Sequence, residues 1–263
     1  MKIEYHDGAV VELGFDDRLH AYRIEEELIP SVTQTMDVIS KPGLIPWALK
    51  EGVEWLAGNL FFDRETKHKH IFHTKGVGID FLTRGIKGAY KNTSHSAINI
   101  GTVTHQWVED AIRWKLEGGN PPTMPKQEEA QKAIEAFRSW VSENDVEWHS
   151  AEKKVYHRKY KYAGTVDAVA TINGEYSVID WKTSKAVYPE YYLQVAAYAK
   201  AVEDMEGRPV DSAYILRCDK KTGKFQCVQS EDFELDFAAF LAAQQLRLRL
   251  KKLSKRRISK KRK

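Results

Sequence analysis

The sequence predicts an α/β fold in which a central mixed β-sheet is flanked by helices and preceded by N-terminal strands and helices. Three observations carry this prediction. A strand pair surrounds Asn173-Gly174, segments with helix-like apolar spacing stand before and after it, and a second strand pair with its own turn, DKKTGK, follows. Helices and strand pairs in this order cover both faces of one sheet.

The individual elements follow from caps, turn residues and apolar spacing. Ser31 or Thr33 is expected to cap a helix that ends near Pro42-Gly43, and Pro189 and Gly207 are expected to bound another. The predicted elements are short strands in 1–30, helices at 31–40, 45–62, 98–117, 126–143, 189–206 and 233–253, and strands at 146–158, around 173–174 and in 214–229. Residues 63–96 are rich in His, Lys and Gly and are predicted to form a mobile, partly helical flap without a zinc site.

The length of 263 residues suits one domain, predicted as residues 1–250, with N-terminal strands, helices and the flap in 1–97 and a catalytic core in 98–250. Residues 251–263 form a basic tail with nine Lys or Arg and no acid. Without the tail the chain has 32 basic and 37 acidic residues. Such a tail is typical of a segment that binds a polyanion, and a solvated, disordered terminus is the alternative.

Composition narrows the class of protein. No apolar run approaches the roughly 20 residues of a membrane-spanning helix, and the start of the chain resembles neither a signal nor a transit peptide, so a cytoplasmic protein without a membrane partner is expected. Two cysteines are too few for a disulfide framework or a Cys-ligated cluster. The sequence contains no G-x-x-x-x-G-K-[ST] loop, so a built-in ATPase motor is not expected.

The strand pair around Asn173-Gly174 carries an unusual pair of charges. Asn-Gly is typical of a two-residue type I′ loop, which pairs Ile172 with Glu175 and places Asp167 opposite Asp180. This is a non-hydrogen-bonded position, where facing Cα atoms lie about 4.5 Å apart. Two facing carboxylates repel each other, so the sequence predicts a cation between them.

Lys182 lies two residues after Asp180 and therefore on the same face of the strand. One ammonium balances only one of two carboxylates, whereas a hard divalent cation such as Mg²⁺ or Mn²⁺ takes oxygen ligands and balances both. The alternative is an ordinary surface ion pair between a strand aspartate and a lysine.

Several motifs resemble one enzyme family. GTVD, then VIDWKTS, then YYLQVAAYA stand in the order of the RecB-like branch of the PD-(D/E)XK nucleases, and they are similar to the group of the mitochondrial genome maintenance exonuclease. PSVTQTMDVISKPGLIPWALKEG and IGTVTHQWVE resemble upstream segments of that group. The resemblance runs from about Leu28 to Glu206, is weakest at 63–96, and implies a restriction-endonuclease-like core.

The resemblance also implies roles for individual residues. His105, Asp167 and Asp180 would bind the metal, Mg²⁺ or Mn²⁺, together with the backbone carbonyl of Trp181. Lys182 would orient the attacking water and stabilise charge on the phosphate. Gln194 and Tyr198 match a Gln-x-x-x-Tyr motif whose members support the site and contact the nucleic-acid strand. Glu152 aligns with an acidic residue found one strand earlier in many members.

The predicted function is a metal-dependent DNA nuclease, an exonuclease acting on single-stranded DNA or on strand ends. A structure-selective endonuclease with the same chemistry is the first alternative. A non-catalytic nucleic-acid-binding or recombination-partner protein is the second, and the intact set of Asp167, Asp180 and Lys182 argues against it. The polarity of cleavage and any protein partners are not encoded in a recognisable motif.

Overall fold

The computed structural model describes residues 1–16, 19, 21–39, 41, 43–59, 61–62, 72–73 and 79–260. The chain divides into two compact units, one made of Met1–Ile39 and Gly101–Lys263 and the other of Ser40–Ile100. The flap was predicted over 63–96; residues 63–71 and 74–78 lie outside the described residues, and 79–96 belong to a long helix.

The first unit begins with four short strands and a helix, namely β1 (Lys2–Glu4), β2 (Val10–Asp16), β3 (Ala21–Ile24), β4 (Glu27–Ile29) and α1 (Val32–Thr35), which continues as a 3-10 turn at Met36–Val38. The second unit contains α2 (Leu44–Asn59), β5 (Phe61–Phe62), β6 (Phe72–His73) and the start of α3 (Ile79–Glu117). The first unit then continues with α4 (Glu128–Glu143), β7 (Val146–His157), β8 (Tyr162–Ile172), β9 (Glu175–Lys182), α5 (Pro189–Glu206), β10 (Ser212–Cys218), β11 (Phe225–Gln229) and α6 (Phe233–Lys260).

The hairpin of β8 and β9 forms the middle of a five-stranded sheet with the order β11-β10-β9-β8-β7. Asn173 and Gly174 have φ angles of 51° and 90°, as the type I′ loop requires, and Ile172 pairs with Glu175 as predicted. β9 and β10 run parallel, while the other neighbouring strands run antiparallel. Because parallel strands need a crossover, α5 connects β9 to β10, and the predicted mixed sheet is confirmed.

Both faces of this sheet are covered by helices. Val169, Val178 and Ile215 belong to the apolar core that includes residues of α5 and α6. Ala168, Ile179 and Leu216 belong to a second core, which is completed by α4 and by the part of α3 in the first unit. The period-two alternation of the strands therefore sends neighbouring side chains into different cores, as expected for a sheet between two helical layers.

The N-terminal strands form a separate antiparallel sheet with the order β1-β2-β3-β4. The hydroxyl of Tyr5 donates to the carbonyl of Tyr156 at 2.6 Å, and the hydroxyls of Tyr22 and Thr165 lie 2.8 Å apart. Ser31 caps α1, because its hydroxyl accepts from the Gln34 amide at 3.0 Å. These contacts fasten the N-terminal segment to β7 and to the Asp-bearing strand β8.

Helix α3 differs most from the prediction. The apolar spacing indicated a helix over 98–117, whereas the helix begins at Ile79. Its first half contains Gly85, which is a poor helix former but is required by packing, since a Cβ atom there would lie 1.9 Å from the ring of Trp55. Tertiary packing of α2 on α3 thus stabilises a segment whose local sequence is a weak predictor of helix.

The last helix is also longer than predicted. Its apolar spacing ends near Leu253, but α6 continues to Lys260, so most of the basic tail is a continuation of a helix rather than a separate coil. Among the residues that the structure describes, no helix has both the length and the apolar character needed to cross a bilayer.

Candidate active site

The candidate active site lies where β8 and β9 stop pairing. The last paired residues of this hairpin are Ala168 and Ile179, one position before the two aspartates. The Trp181 amide donates to Oδ2 of Asp167 at 2.9 Å, so a carboxylate serves as the acceptor at the point where the strands separate. Both aspartates are almost fully buried, with 8% and 1% of Asp167 and Asp180 exposed.

Lys182 and Asp180 form an ion pair on one face of β9, with Nζ 2.5 Å from Oδ2. Burial disfavours the ammonium, but the charges of Asp180 and Asp167 outweigh burial and raise the pKa of Lys182 above its ordinary value. The lysine is therefore a positive charge held at the site at neutral pH. Its Nζ also lies 5.1 Å from the ring centre of Tyr191 at the start of α5.

The surroundings of Asp167 and Asp180 disfavour the ionised form of both carboxyl groups. Burial and the charge of Asp180 raise the pKa of Asp167 well above its ordinary range, and Lys182 offsets only part of this. Burial also raises the pKa of Asp180, against the lowering effect of Lys182. The predicted repulsion is thus present, and the lysine alone does not neutralise it.

Helix α5 contributes the polar contacts behind Asp180. Nε2 of Gln194 donates to Oδ1 of Asp180 at 3.0 Å and to the hydroxyl of Tyr198 at 3.1 Å. Both α5 residues are buried, and burial raises the pKa of Tyr198 well above 10.0, so its hydroxyl stays neutral. The Gln-x-x-x-Tyr pair therefore fixes one oxygen of Asp180 while Lys182 holds the other.

Gly164 explains how Tyr198 reaches this position. The ring of Tyr198 lies against the backbone of β8, and a Cβ atom at Gly164 would lie 2.6 Å from Cε1 of that ring and 3.3 Å from Val32. The glycine of the GTVD motif therefore has a packing role.

Helix α3 brings His105 to the other side of Asp167, with Nδ1 3.9 Å from Oδ2. Gly101 lets the helix approach the end of β9, because a Cβ atom there would lie only 3.3 Å from the Thr183 hydroxyl. Burial and the charge of Lys182 lower the pKa of His105 to about 4, despite a hydrogen bond with the Trp181 backbone. The imidazole is therefore neutral and has a lone pair available for a metal ion.

Glu152 of β7 joins this group. One ligand atom from each of His105, Glu152 and Asp167 lies within 4.8 Å of the other two. Burial and the charge of Glu109 raise the pKa of Glu152 to about 7, although Arg113 lowers it. Glu152 stands between Ala151 and Lys153, which pair with Ala168 and Val166 of β8, so it lies level with Asp167 on the neighbouring strand. Its φ of 49° is uncommon for this residue type. No local turn predicts the pairing of β7 with β8, so only the resemblance indicated Glu152.

A groove of about 360 Å³ opens beside these residues. It is lined by the exposed side of α3 and by β7, through Gly101, Thr102, His105, Gln106, Glu109 and Glu152. The structure thus links His105 to Asp167, and Asp180 to Lys182, Gln194 and Tyr198, around the point where β8 and β9 separate. Of these residues only His105 lines the groove, and Asp180 is not part of the cluster formed by His105, Glu152 and Asp167. The side chain of Trp181 points into the apolar core instead, so only its backbone is available to the site.

Comparison with known proteins identifies the family of this chain. The family described as the PD-(D/E)XK nuclease superfamily matches residues 80–262. Among solved structures, an alkaline exonuclease (LHK-Exo) from Laribacter hongkongensis is similar at 15% identity, over 58% of this chain and 85% of that chain, with a TM-score of 0.28. The same exonuclease in complex with dAMP is similar at 15% identity, over 58% of this chain and 85% of that chain, with a TM-score of 0.29. No curated protein matches the chain. Since the family match covers well over half of the sequence, the chain belongs to the PD-(D/E)XK nuclease superfamily and is a nuclease.

Proposed function

We propose that this nuclease is a divalent-metal-dependent deoxyribonuclease of the RecB-like branch, an exonuclease that acts on single-stranded DNA or strand ends. The observation that supports the proposal most directly is the meeting of a neutral imidazole, two buried carboxyls and one ammonium, with the imidazole lining an open groove. A protein that only binds nucleic acid gains nothing from burying two mutually repelling carboxyls.

The donor atoms fit a divalent cation. Ligand atoms of His105, Glu152 and Asp167 lie within 4.8 Å of one another, close to the roughly 4.2 Å that separates opposite ligands of an ion with bonds of about 2.1 Å. We assign His105, Asp167, Asp180 and the Trp181 carbonyl to Mg²⁺ or Mn²⁺, and we add Glu152 because its carboxylate belongs to the same cluster. One imidazole among oxygen donors makes Mn²⁺ at least as suitable as Mg²⁺.

A bound cation would supply a water of lowered pKa and neutralise charge on the phosphate. The other roles belong to side chains of this chain. Lys182 holds a positive charge at the site, where it can orient the water and stabilise charge that develops on the phosphate. Gln194 keeps Asp180 in one orientation, and Tyr198 in turn fixes Gln194.

The metal-dependent reaction is tested with Asp180→Asn and Lys182→Ala. Both variants should fold and bind DNA but lose hydrolysis in Mg²⁺ or Mn²⁺, because the first loses a metal-binding carboxylate and the second loses the charge at the water. Asp145→Asn and Lys221→Ala, which change exposed residues outside the site, are the matched controls and should keep full activity. Hydrolysis that survives in Asp180→Asn would place the reaction elsewhere, and a parent protein with no divalent-dependent cleavage would contradict the proposal.

Exonuclease action is tested by the form of the substrate. Linear single-stranded DNA with a free end should be degraded faster than a covalently closed single-stranded circle of the same sequence. The motive is the resemblance of the GTVD, VIDWKTS and YYLQVAAYA segments to an exonuclease group. Equal rates of cleavage on the two substrates would favour the structure-selective endonuclease.

A further inference from the structure

Helix α6 has apolar residues on two opposite faces. The inner face packs into the core of the first unit through Phe237 and Phe240, and Phe240 contacts the ring of Tyr162 at a centroid distance of 4.8 Å. The outer face carries four exposed leucines and two exposed alanines, which together form the outer stripe: Leu235, Ala239, Ala242, Leu246, Leu250 and Leu253.

The outer stripe is continuous along the helix. Its residues follow one another at steps of three or four, so they share one face, and at 1.5 Å per residue they span about 27 Å. The four leucines are 67%, 49%, 48% and 42% exposed, in chain order. A long apolar face on a surface helix is typical of a site that another helix covers.

The distribution of charge along the helix indicates the orientation of that partner. Glu231 and Asp232 precede the helix and Glu234 and Asp236 lie in its first turn, whereas its second half is basic, with Arg247, Arg249, Lys251 and Lys252. Glu234, Asp236 and Arg247 also contact Lys200, Ser230 and Gln34 of the same chain. Two parallel copies of this helix would place like charges side by side. Two antiparallel copies would place the acidic end of each beside the basic half of the other, which favours binding.

We propose that the outer stripe of α6 binds the outer stripe of a second copy of this chain in an antiparallel arrangement. With a two-fold axis level with Gln244, Leu235 of one copy is level with Leu253 of the other, and Ala242 is level with Leu246. Large residues then face small ones near the centre, as interlocking helix packing requires. The interface is isologous, so it closes as a dimer.

The oligomeric state of the full chain tests the proposal. Sedimentation over a wide range of protein concentration should show a species of twice the chain mass that dissociates on dilution. Leu246→Glu together with Leu250→Glu should give the single-chain mass at every concentration, with an unchanged helical circular dichroism signal. The matched control is Gln245→Glu, which adds a negative charge on the exposed surface of the same helix beside the stripe and should remain a dimer. A parent protein that is monomeric throughout, or a leucine variant that still dimerises, would overturn the proposal.

Cross-linking tests the orientation. Two chains that carry Leu235→Cys and Leu253→Cys, each in a Cys227→Ser background, should form a mixed disulfide dimer when combined, since Cys218 is buried and unreactive. Cross-links of Leu235→Cys only with itself would indicate parallel helices and contradict the charge argument. Flotation with vesicles of anionic lipid gives the remaining outcome: binding of a monomeric parent that the leucine variant loses would assign the stripe to a membrane surface and overturn the dimer.

Discussion

Gln194 is the residue through which helix α5 positions the candidate active site. It is buried, and its amide donates to both Asp180 and Tyr198. Its contact with Oδ1 of Asp180 means that it acts on the proposed reaction through the orientation of Asp180. Polar groups that orient a metal-binding side chain typically contribute about tenfold to a hundredfold to activity.

Gln194→Leu should therefore reduce kcat by about tenfold to a hundredfold with little change in KM for DNA, because Asp180 loses the donor that fixes it. Steady-state rates at saturating Mn²⁺ measure the effect. Tyr198→Phe is the matched control, since it keeps the aromatic ring and leaves the contact between Gln194 and Asp180 in place, and it should cost much less. Equal losses in the two variants would mean that packing of α5, rather than orientation of Asp180, limits the rate.

His157 links the stability of the first unit to pH. It lies at the end of β7 against Tyr160, Tyr162 and Phe237, and its Nδ1 is 3.7 Å from Asp204. Burial lowers the pKa of His157 below 6.5, and the attraction to Asp204 does not restore it. A histidine with a lowered pKa in the folded state binds protons more weakly than in the unfolded chain, so its contribution to stability is lost as the pH falls below 6.5.

His157→Phe should reduce the dependence of the unfolding free energy on pH below about 6.5, because the aromatic contacts remain while the titrating group is removed. Urea unfolding of parent and variant between neutral pH and about pH 5 measures the difference. The lowered pKa of His105 also makes the protein less stable as the pH falls, and it is present in both proteins. The variant therefore keeps part of the dependence of the unfolding free energy on pH. If parent and variant differed in unfolding free energy by the same amount at every pH, His157 would not be the source of the pH dependence.

At the scale of elements, the close approach of β8 and α5 builds the site. Gly164 lies under the ring of Tyr198, and the two residues sit in the core formed by β8, α5 and α1. Gly164→Ala should destabilise the protein by about 1–3 kcal/mol, because a buried ring and backbone cannot separate without repacking the core. Chemical denaturation measures this value.

A control for Gly164→Ala is Gly88→Ala within α3, where a Cβ atom meets nothing within 4 Å. The control should leave the free energy of unfolding unchanged or raise it by up to about 1 kcal/mol, because alanine is the better helix former. If Gly164→Ala were as stable as the control, the ring of Tyr198 would have room to move, and its role in holding Gln194 would be weakened.

The elements also differ in how well the sequence predicts them. The hairpin register was predictable because Asn173-Gly174 fixes a two-residue loop, and one loop determines every later pair up to Ala168 and Ile179. The ends of α5 were predictable because Pro189 and Gly207 act locally, the latter with a φ of 67°. The start of α3 was not predictable. Gly85 locally disfavours a helix, and the contact with Trp55 that requires it joins residues distant in the sequence.

The same distinction applies to the candidate site. Strand period and loop register placed Lys182 beside Asp180, and the structure has this pair at 2.5 Å. The meeting of Glu152 with His105 depends on the pairing of β7 with β8 and on the approach of α3, which no local pattern encodes. Sequence therefore predicts contacts within the hairpin well, whereas contacts between distant elements required the family resemblance.

At the scale of the whole molecule, charge is unevenly distributed along the chain. The formal net charge is +4, yet residues 251–263 contribute nine positive charges to a body that is otherwise slightly acidic. Because α6 continues to Lys260, most of this basic segment is helical, and the inner face of the helix is packed into the first unit. Such a cationic helix end is suited to contact phosphates without reading sequence, since binding releases condensed counterions.

Deletion of residues 254–263 removes seven Lys or Arg and leaves Leu253 and the outer stripe in place. Binding to single-stranded DNA should weaken for all sequences alike, and the slope of log K against log salt concentration should become shallower by about 0.7 for each phosphate that the tail no longer neutralises, up to roughly 5 in total. Fluorescence titrations with Asp180→Asn, which prevents degradation during the measurement, give the slope over a range of salt concentrations. A chain of full length with these seven residues changed to Gln is the matched control and should reproduce the deletion, because charge rather than length is responsible. An unchanged slope in both proteins would show that the tail is solvated and does not bind the substrate.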